Sequence, residues 1–205
     1  MKRTTLLLFA LVGMLASAAA GAAPSPSVTI SASRPVVVFG QSVTLSGAVS
    51  SHKSGETVTI RAEPFGKSVF GDLATASTTT RGAWSYAAKP TIQTTYQASW
   101  MTTTSHTVTV KVRPLVSLKL VAATSGTFSI TVTGERAFTG KYVLVERLTS
   151  AGVTILKHVP LDASSSATFK VRLHHGLSRL RAVIPSSQAA PGYITGTSNV
   201  VAVRR

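Results

Sequence analysis

From Pro26 onward, apolar residues alternate with Ser, Thr, Lys or Arg at period two, and no stretch sustains the 3.6-residue period of an amphipathic helix. Alternation of this kind marks strands with one buried face, because successive side chains leave a strand on opposite sides. It predicts strands at 27–31, 42–48, 57–62, 84–88, 95–100 and 107–112, with Gly, Pro, Ser and Lys at the turns. A second series is predicted at 116–120, 127–133, 142–148, 153–159, 168–173, 179–184 and 199–203. The expected fold is therefore all-β, each series supplying enough strands for one sandwich.

The two series correspond in order. Ser46-Gly47 closes the second strand of the first as Thr133-Gly134 does in the second, Gly55 precedes Trp84 by 29 residues, and Gly140 precedes Phe169 by 29. Ala98 then follows Trp84 by 14, and Ala182 follows Phe169 by 13. Matched spacing on matched parity indicates a duplicated unit. The boundary is expected at Arg113-Pro114, where proline cannot continue the preceding ladder and no flexible spacer intervenes, giving domains 24–113 and 114–205 joined by a short, semi-rigid junction. The loop from Pro185 to Gly196 is longer than a hairpin needs and breaks the correspondence.

In the first series Tyr96, Ala98 and Trp100 share one parity and are expected in the core with Trp84. Tyr96 also follows the corner Lys89-Pro90-Thr91-Ile92, a place where sandwiches put a tyrosine whose hydroxyl caps the loop before it. The segments SVTLSGAVSS, GETVTIRAEPFG, TTTRGAWSYAAKPTIQTTYQASW and TVTVKVRP resemble bacterial immunoglobulin-like repeats of secreted and surface proteins. TFSITVTG, GKYVLVERL and SRLRAVIPSSQAAPGYITGTS resemble a diverged partner of the same kind. The resemblance implies two tandem immunoglobulin-like antiparallel β-sandwiches and a structural, spacer or adhesive role outside the cytoplasm. It carries over no catalytic residue.

The start of the chain changes the compartment. Lys2 and Arg3, the apolar run Leu6 to Leu15 and the small residues Ala16 to Ala23 have the order of a signal peptide, expected to span 1–23 with cleavage near Ala20 or Ala22. A secreted, extracellular or cell-envelope protein without a transmembrane anchor is the expectation. With no cysteine, neither disulfides nor thiolate metal sites are available, and stability must come from apolar cores.

The whole chain carries a net charge of +15. Residues 24–113 hold 8 basic and 3 acidic residues, and 114–205 hold 11 and 3, so the second half is the more basic. Lys170 and Arg172 alternate with Phe169, Val171 and Leu173, while Arg179 and Arg181 alternate with Leu180 and Ala182, so all four are expected to point outward. They form the candidate face for an anionic ligand such as an envelope polysaccharide, recognised by charge. The other expectation for them is a solvated surface that discourages strand pairing. A protein partner is equally compatible with a structural module.

Enzymatic constellations are sparse. The acids Glu56, Glu63, Asp72, Glu135, Glu146 and Asp162 show no close sequence pair, and no Gly-x-Ser-x-Gly turn or phosphate-cradling loop occurs. The expectation is a non-enzyme without cofactor. His174-His175 is the one arrangement with metal chemistry on its face, and an exposed turn is the preferred reading, so no metal is expected. The predicted junction at 112–116 has no acid for calcium, and no recognition helix or zinc knuckle supports specific nucleic-acid binding. Phe65, Phe70 and Tyr193, each next to glycine, are candidates for exposed stacking rings.

Overall fold

The structure is a computed structural model that describes residues 25–173 and 175–204. The expected signal peptide and His174 lie outside the described residues. Nearly all regular structure is β, as the alternation predicts. The first nine strands are β1 (Ser31–Ala32), β2 (Val36–Val38), β3 (Val43–Ala48), β4 (Thr57–Pro64), β5 (Gly71–Ser77), β6 (Ala83–Ala88), β7 (Thr94–Trp100), β8 (Thr103–Thr104) and β9 (Val108–Arg113). They form two sheets, one in the order β1-β3-β6 and one in the order β2-β9-β7-β4-β5 with β8 folded back on β7. All pairings are antiparallel except β2 with β9, which run parallel.

Past Pro114 the chain continues with β10 (Leu115–Ala122), β11 (Thr127–Thr133), β12 (Tyr142–Thr149), β13 (Gly152–Pro160), β14 (Ser166–Lys170) and β15 (Leu177–Ile184). A four-residue helix α1 (Ser186–Ala189) then precedes β16 (Gly196–Thr197) and β17 (Val201–Arg204). The sheets are β10-β11-β14 and β13-β12-β15, with both β16 and β17 paired to β15. Each half therefore stacks a three-stranded sheet against a larger one with the same strand succession, the arrangement of an immunoglobulin-like sandwich. Every strand pairing among the described residues stays on one side of Pro114.

The cores follow from parity. Val43 and Leu45 of β3 and Trp84 and Ala88 of β6 face Val58, Ile60, Tyr96, Ala98, Trp100 and Val110 across the first sandwich. Phe128 and Ile130 of β11 and Phe169 of β14 face Val143, Val145, Leu180 and Ala182 in the second, with Phe128 and Phe169 stacked at 5.8 Å between ring centroids. Gly55 and Gly140, the two spacing markers, both adopt positive φ, +82° and +72°, in the turns that launch β4 and β12. A left-handed turn at the same place in both halves explains why glycine recurs there.

Two departures from the expected strands have plain causes. The 27–31 strand shrinks to an isolated bridge between Val28 and Val49 followed by the two residues of β1. The edge strand β5 was not predicted, because it faces the core only through Ala74 and Ala76 and leaves Leu73 exposed, which erases the apolar alternation. Tyr96 is 2 % exposed, as its parity requires. Its corner is closed by Thr94, whose hydroxyl donates to Ile92 O at 2.8 Å and sits against the Tyr96 phenol.

The long loop after β15 lies against the first sandwich. Only Pro114 separates β9 from β10, and the 192–195 segment runs alongside that junction: Gly192 O accepts from Gln93 N at 3.0 Å, Ile194 N donates to Val112 O at 3.0 Å, and Thr195 O accepts from the Arg113 guanidinium at 2.5 Å. Tyr193 is 4 % exposed, and its hydroxyl donates to Thr91 O and accepts from Glu135 N, both at 2.7 Å. Thr91 Oγ1 also donates to Glu135 Oε2 at 2.6 Å. Arg136 anchors the loop from its own side, donating to Ala189 O at 2.6 Å and lying over the Phe138 ring at 5.1 Å. The expectation of Tyr193 as an exposed ring is thereby corrected: its phenol is the buried link between the halves, while Phe65 stays exposed.

Candidate functional site

The four cations singled out by parity are divided between two sheets. Lys170 ends β14 and Arg172 follows it, on the outer side of the β10-β11-β14 sheet, and both are exposed. Arg179 and Arg181 lie on β15, on the outer side of the opposite sheet. The outer faces of a sandwich point away from each other across roughly 10 Å of packed core. No single face therefore holds all four, which corrects the expected arrangement.

Arg181 also has a partner. Its Nε lies 2.7 Å from Glu146 Oε2, and the carboxylate is the more buried group, with 12 % of its side chain exposed against 33 % for the arginine. Burying Glu146 beside β15 requires that compensation. Arg179 remains exposed on the rim of an open depression of about 740 Å³ lined by Arg147, Leu148, Thr149, Ser150, Leu177 and Val200.

Lys170 and Arg172 converge instead with two cations that sequence reasoning passed over. A cleft of about 250 Å³ between β13 and β14 is lined by Arg147, Leu156, Lys157, Lys170, Val171 and Arg172. Four of its six lining residues are cationic and none is acidic. Arg147 shares the parity of Val143 and Val145 and sits opposite buried Leu180, so it occupies a core-facing position at the end of β12. Its guanidinium emerges between the two sheets, where Nη2 donates to Arg172 O at 3.1 Å. Its Nε is buried with no partner among the described residues.

Lys157 reaches the same cleft through a bulge. The β12–β13 register passes from Val145–Lys157 to Glu146–Ile155, so Leu156 is the extra residue. A bulge bends an edge strand and re-aims its side chains. The signal available in the sequence was Arg147 itself, a charge on the core parity of β12.

Four other carboxylates are held elsewhere. Asp72 meets Arg61 Nε at 3.2 Å, Glu56 accepts from the Ser51 hydroxyl, and Glu135 is held at the junction. Asp162 accepts from Ser164 N, Ser164 Oγ and Ser166 N at 2.7 to 2.9 Å, a turn whose hydrogen bonds hold its carboxyl below the usual range. His158 stacks on Tyr142 with ring centroids 5.1 Å apart. Among the described residues no three His, Asp or Glu side chains gather to hold a metal ion, and no helix is long and apolar enough to cross a membrane.

No family model and no curated protein matches the sequence. Among solved structures, the fold is similar to a tetra-tandem repeat in the extending region of a large adhesion protein, with a TM-score of 0.39, 15 % identity, and coverage of 87 % of this chain and 49 % of that one. It is also similar to a Salmonella alpha-2-macroglobulin mutant, with a TM-score of 0.33, 13 % identity, and coverage of 87 % and 16 % respectively. The chain thus spans about half the length of the first and about a sixth of the second.

Proposed function

We propose that this chain is a secreted, non-enzymatic structural or adhesive module of the extracellular space or cell envelope, built from two immunoglobulin-like domains, 24–113 and 114–205, held end to end. The observation that supports it most is the junction: one connecting residue, Pro114, and a buried tyrosine bonded to both halves. A chain that only needed two folded units in proximity would not require a loop of one to be pinned against the other. Strands of eight residues at about 3.3 Å each make a domain some 25–30 Å long, so the pair extends to roughly twice that. Small-angle scattering of the purified protein tests this: an elongated, rigid profile is expected, and a compact or freely hinged one overturns it.

A second reading is favoured by a specific observation, the concentration of cations without acids at the β13–β14 cleft. In it the second domain binds an anionic envelope polymer by charge. Retention of the protein on purified cell envelope across a salt series tests it, because unspecific attraction between exposed charges is screened as ionic strength rises toward physiological values.

A further inference from the structure

We infer that the cleft between β13 and β14 is a binding site for phosphate groups carried on a polymer, with Arg147, Lys157, Lys170 and Arg172 as its contacts. The inference rests on the second reading above and gives that reading a location and a ligand class.

Three features of the cleft lead there. Arg147 is set where its sheet directs side chains inward, opposite buried Leu180, and its guanidinium is held by the Arg172 carbonyl, so less freedom is lost when a ligand binds. Its hydrogen bond to Arg172 O ties the guanidinium across the gap to the chain that follows β14, while the buried Nε–H has no acceptor among the described residues. A buried donor left unpaired is costly, and an oxyanion entering the cleft would bring acceptor oxygens to this group. Lys157, Lys170 and Arg172 approach from two different strands and from the chain following β14, so their mutual repulsion is confined to this one place. Among the described residues no carboxylate lines the cleft to offset it, and the one beside Arg147 on β12, Glu146, is paired with Arg181.

The chemistry favours phosphate over an isolated carboxylate. Guanidinium groups donate in a planar fork that fits phosphate oxygens, and ammonium groups add compact charge. A phosphate offers several acceptor oxygens to donors arriving from different sides. The case for a polymer comes from continuity: Arg147 lines both this cleft and the larger depression that carries Arg179. A chain of phosphodiesters could therefore place successive charges in the two depressions, with the apolar rim of Leu148, Leu177 and Val200 against its carbon backbone.

The test uses a defined poly(glycerol phosphate) and the purified protein near physiological ionic strength, with binding followed by calorimetry and by the NMR resonance of the Arg147 Nε–H. Saturable binding that shifts that resonance is expected, together with an affinity loss of about tenfold or more in K170S/R172S. The charge-matched surface variant R34S/K111S, on the first half, should change affinity by less than about threefold. R147Q, which lacks the reporting Nε–H, should abolish the binding measured by calorimetry. Equal losses in the two double variants would overturn the cleft while leaving a basic protein attracted to polyanions. No saturable binding by the unaltered protein would overturn the second reading itself. Binding to vesicles of anionic phospholipid with none to the polymer would overturn the polymer assignment.

Discussion

Replacing Tyr193 with phenylalanine removes one oxygen and leaves the ring in place. That ring packs against Phe138, with centroids 5.6 Å apart, and under Arg136, contacts that phenylalanine retains. The hydroxyl, however, makes two hydrogen bonds of 2.7 Å in a site that is 4 % exposed, one to Thr91 of the first half and one from Glu135 of the second. Each bond contributes about 1 kcal/mol net, and each partner left unpaired in a dry site adds a desolvation penalty, so a loss of about 2–3 kcal/mol is expected. In a protein of this size 1 kcal/mol moves the midpoint of thermal unfolding by roughly 2–4 °C, so Tm should fall by about 4–12 °C. The loss falls on the seam between the halves. Calorimetry should accordingly show the variant departing from a single transition, the calorimetric enthalpy exceeding the van't Hoff value as the halves melt apart. A Y193F protein that melts within about 1 °C of the parent, with the same enthalpy ratio, would refute the reasoning.

Gly47→Ala should destabilise by about 3 kcal/mol or more in urea unfolding, because the added Cβ would fall on the Thr29 carbonyl oxygen and 2.9 Å from the Trp84 ring. Stability should also fall at high pH. Burial raises the Tyr96 phenol to about 12, and pushes Tyr193 up as well. An unfolded tyrosine ionises near 10, so the stabilisation is complete below about pH 10 and is lost as pH rises toward 12, at about 1.4 kcal/mol per pH unit for Tyr96; Y96F should flatten the slope. Finally, R181M should cost about 1–2 kcal/mol by leaving the Glu146 carboxylate unpaired, and R181M/E146Q should recover most of it in a double-mutant cycle.

Local features were legible and distant ones were not. Alternation located β3, β4, β7, β11, β12 and β15 to within two residues, because each carries large apolar side chains on one parity and polar ones on the other. It ended β14 too late, since Val171 and Leu173 keep the core parity after the ladder has stopped at Lys170. For Lys170, Arg172, Arg179 and Arg181, parity tells which side of its own sheet a residue occupies. Which sheet that is depends on pairings between segments tens of residues apart, β14 with β11 and β15 with β12, and those have no local signature. Arg147 escapes an outward-parity pattern for the opposite reason: it stands on the core-facing parity of β12. Tyr193 sits in an irregular loop, where neither period applies and proximity to glycine suggests exposure.

The pinned loop gives the two units a fixed order. The corresponding connection in the first half, between β7 and β9, is short and contains only β8, so it has nothing to lay across a neighbour. The second unit reaches back to the Gln93 and Val112 surfaces of the first, and among the described residues the first extends no comparable loop onto the second. Exchanging the halves by recombination would leave an arm without a dock and a dock without an arm. The two halves are thus not interchangeable parts. They form a grammar in which one unit can only follow the other.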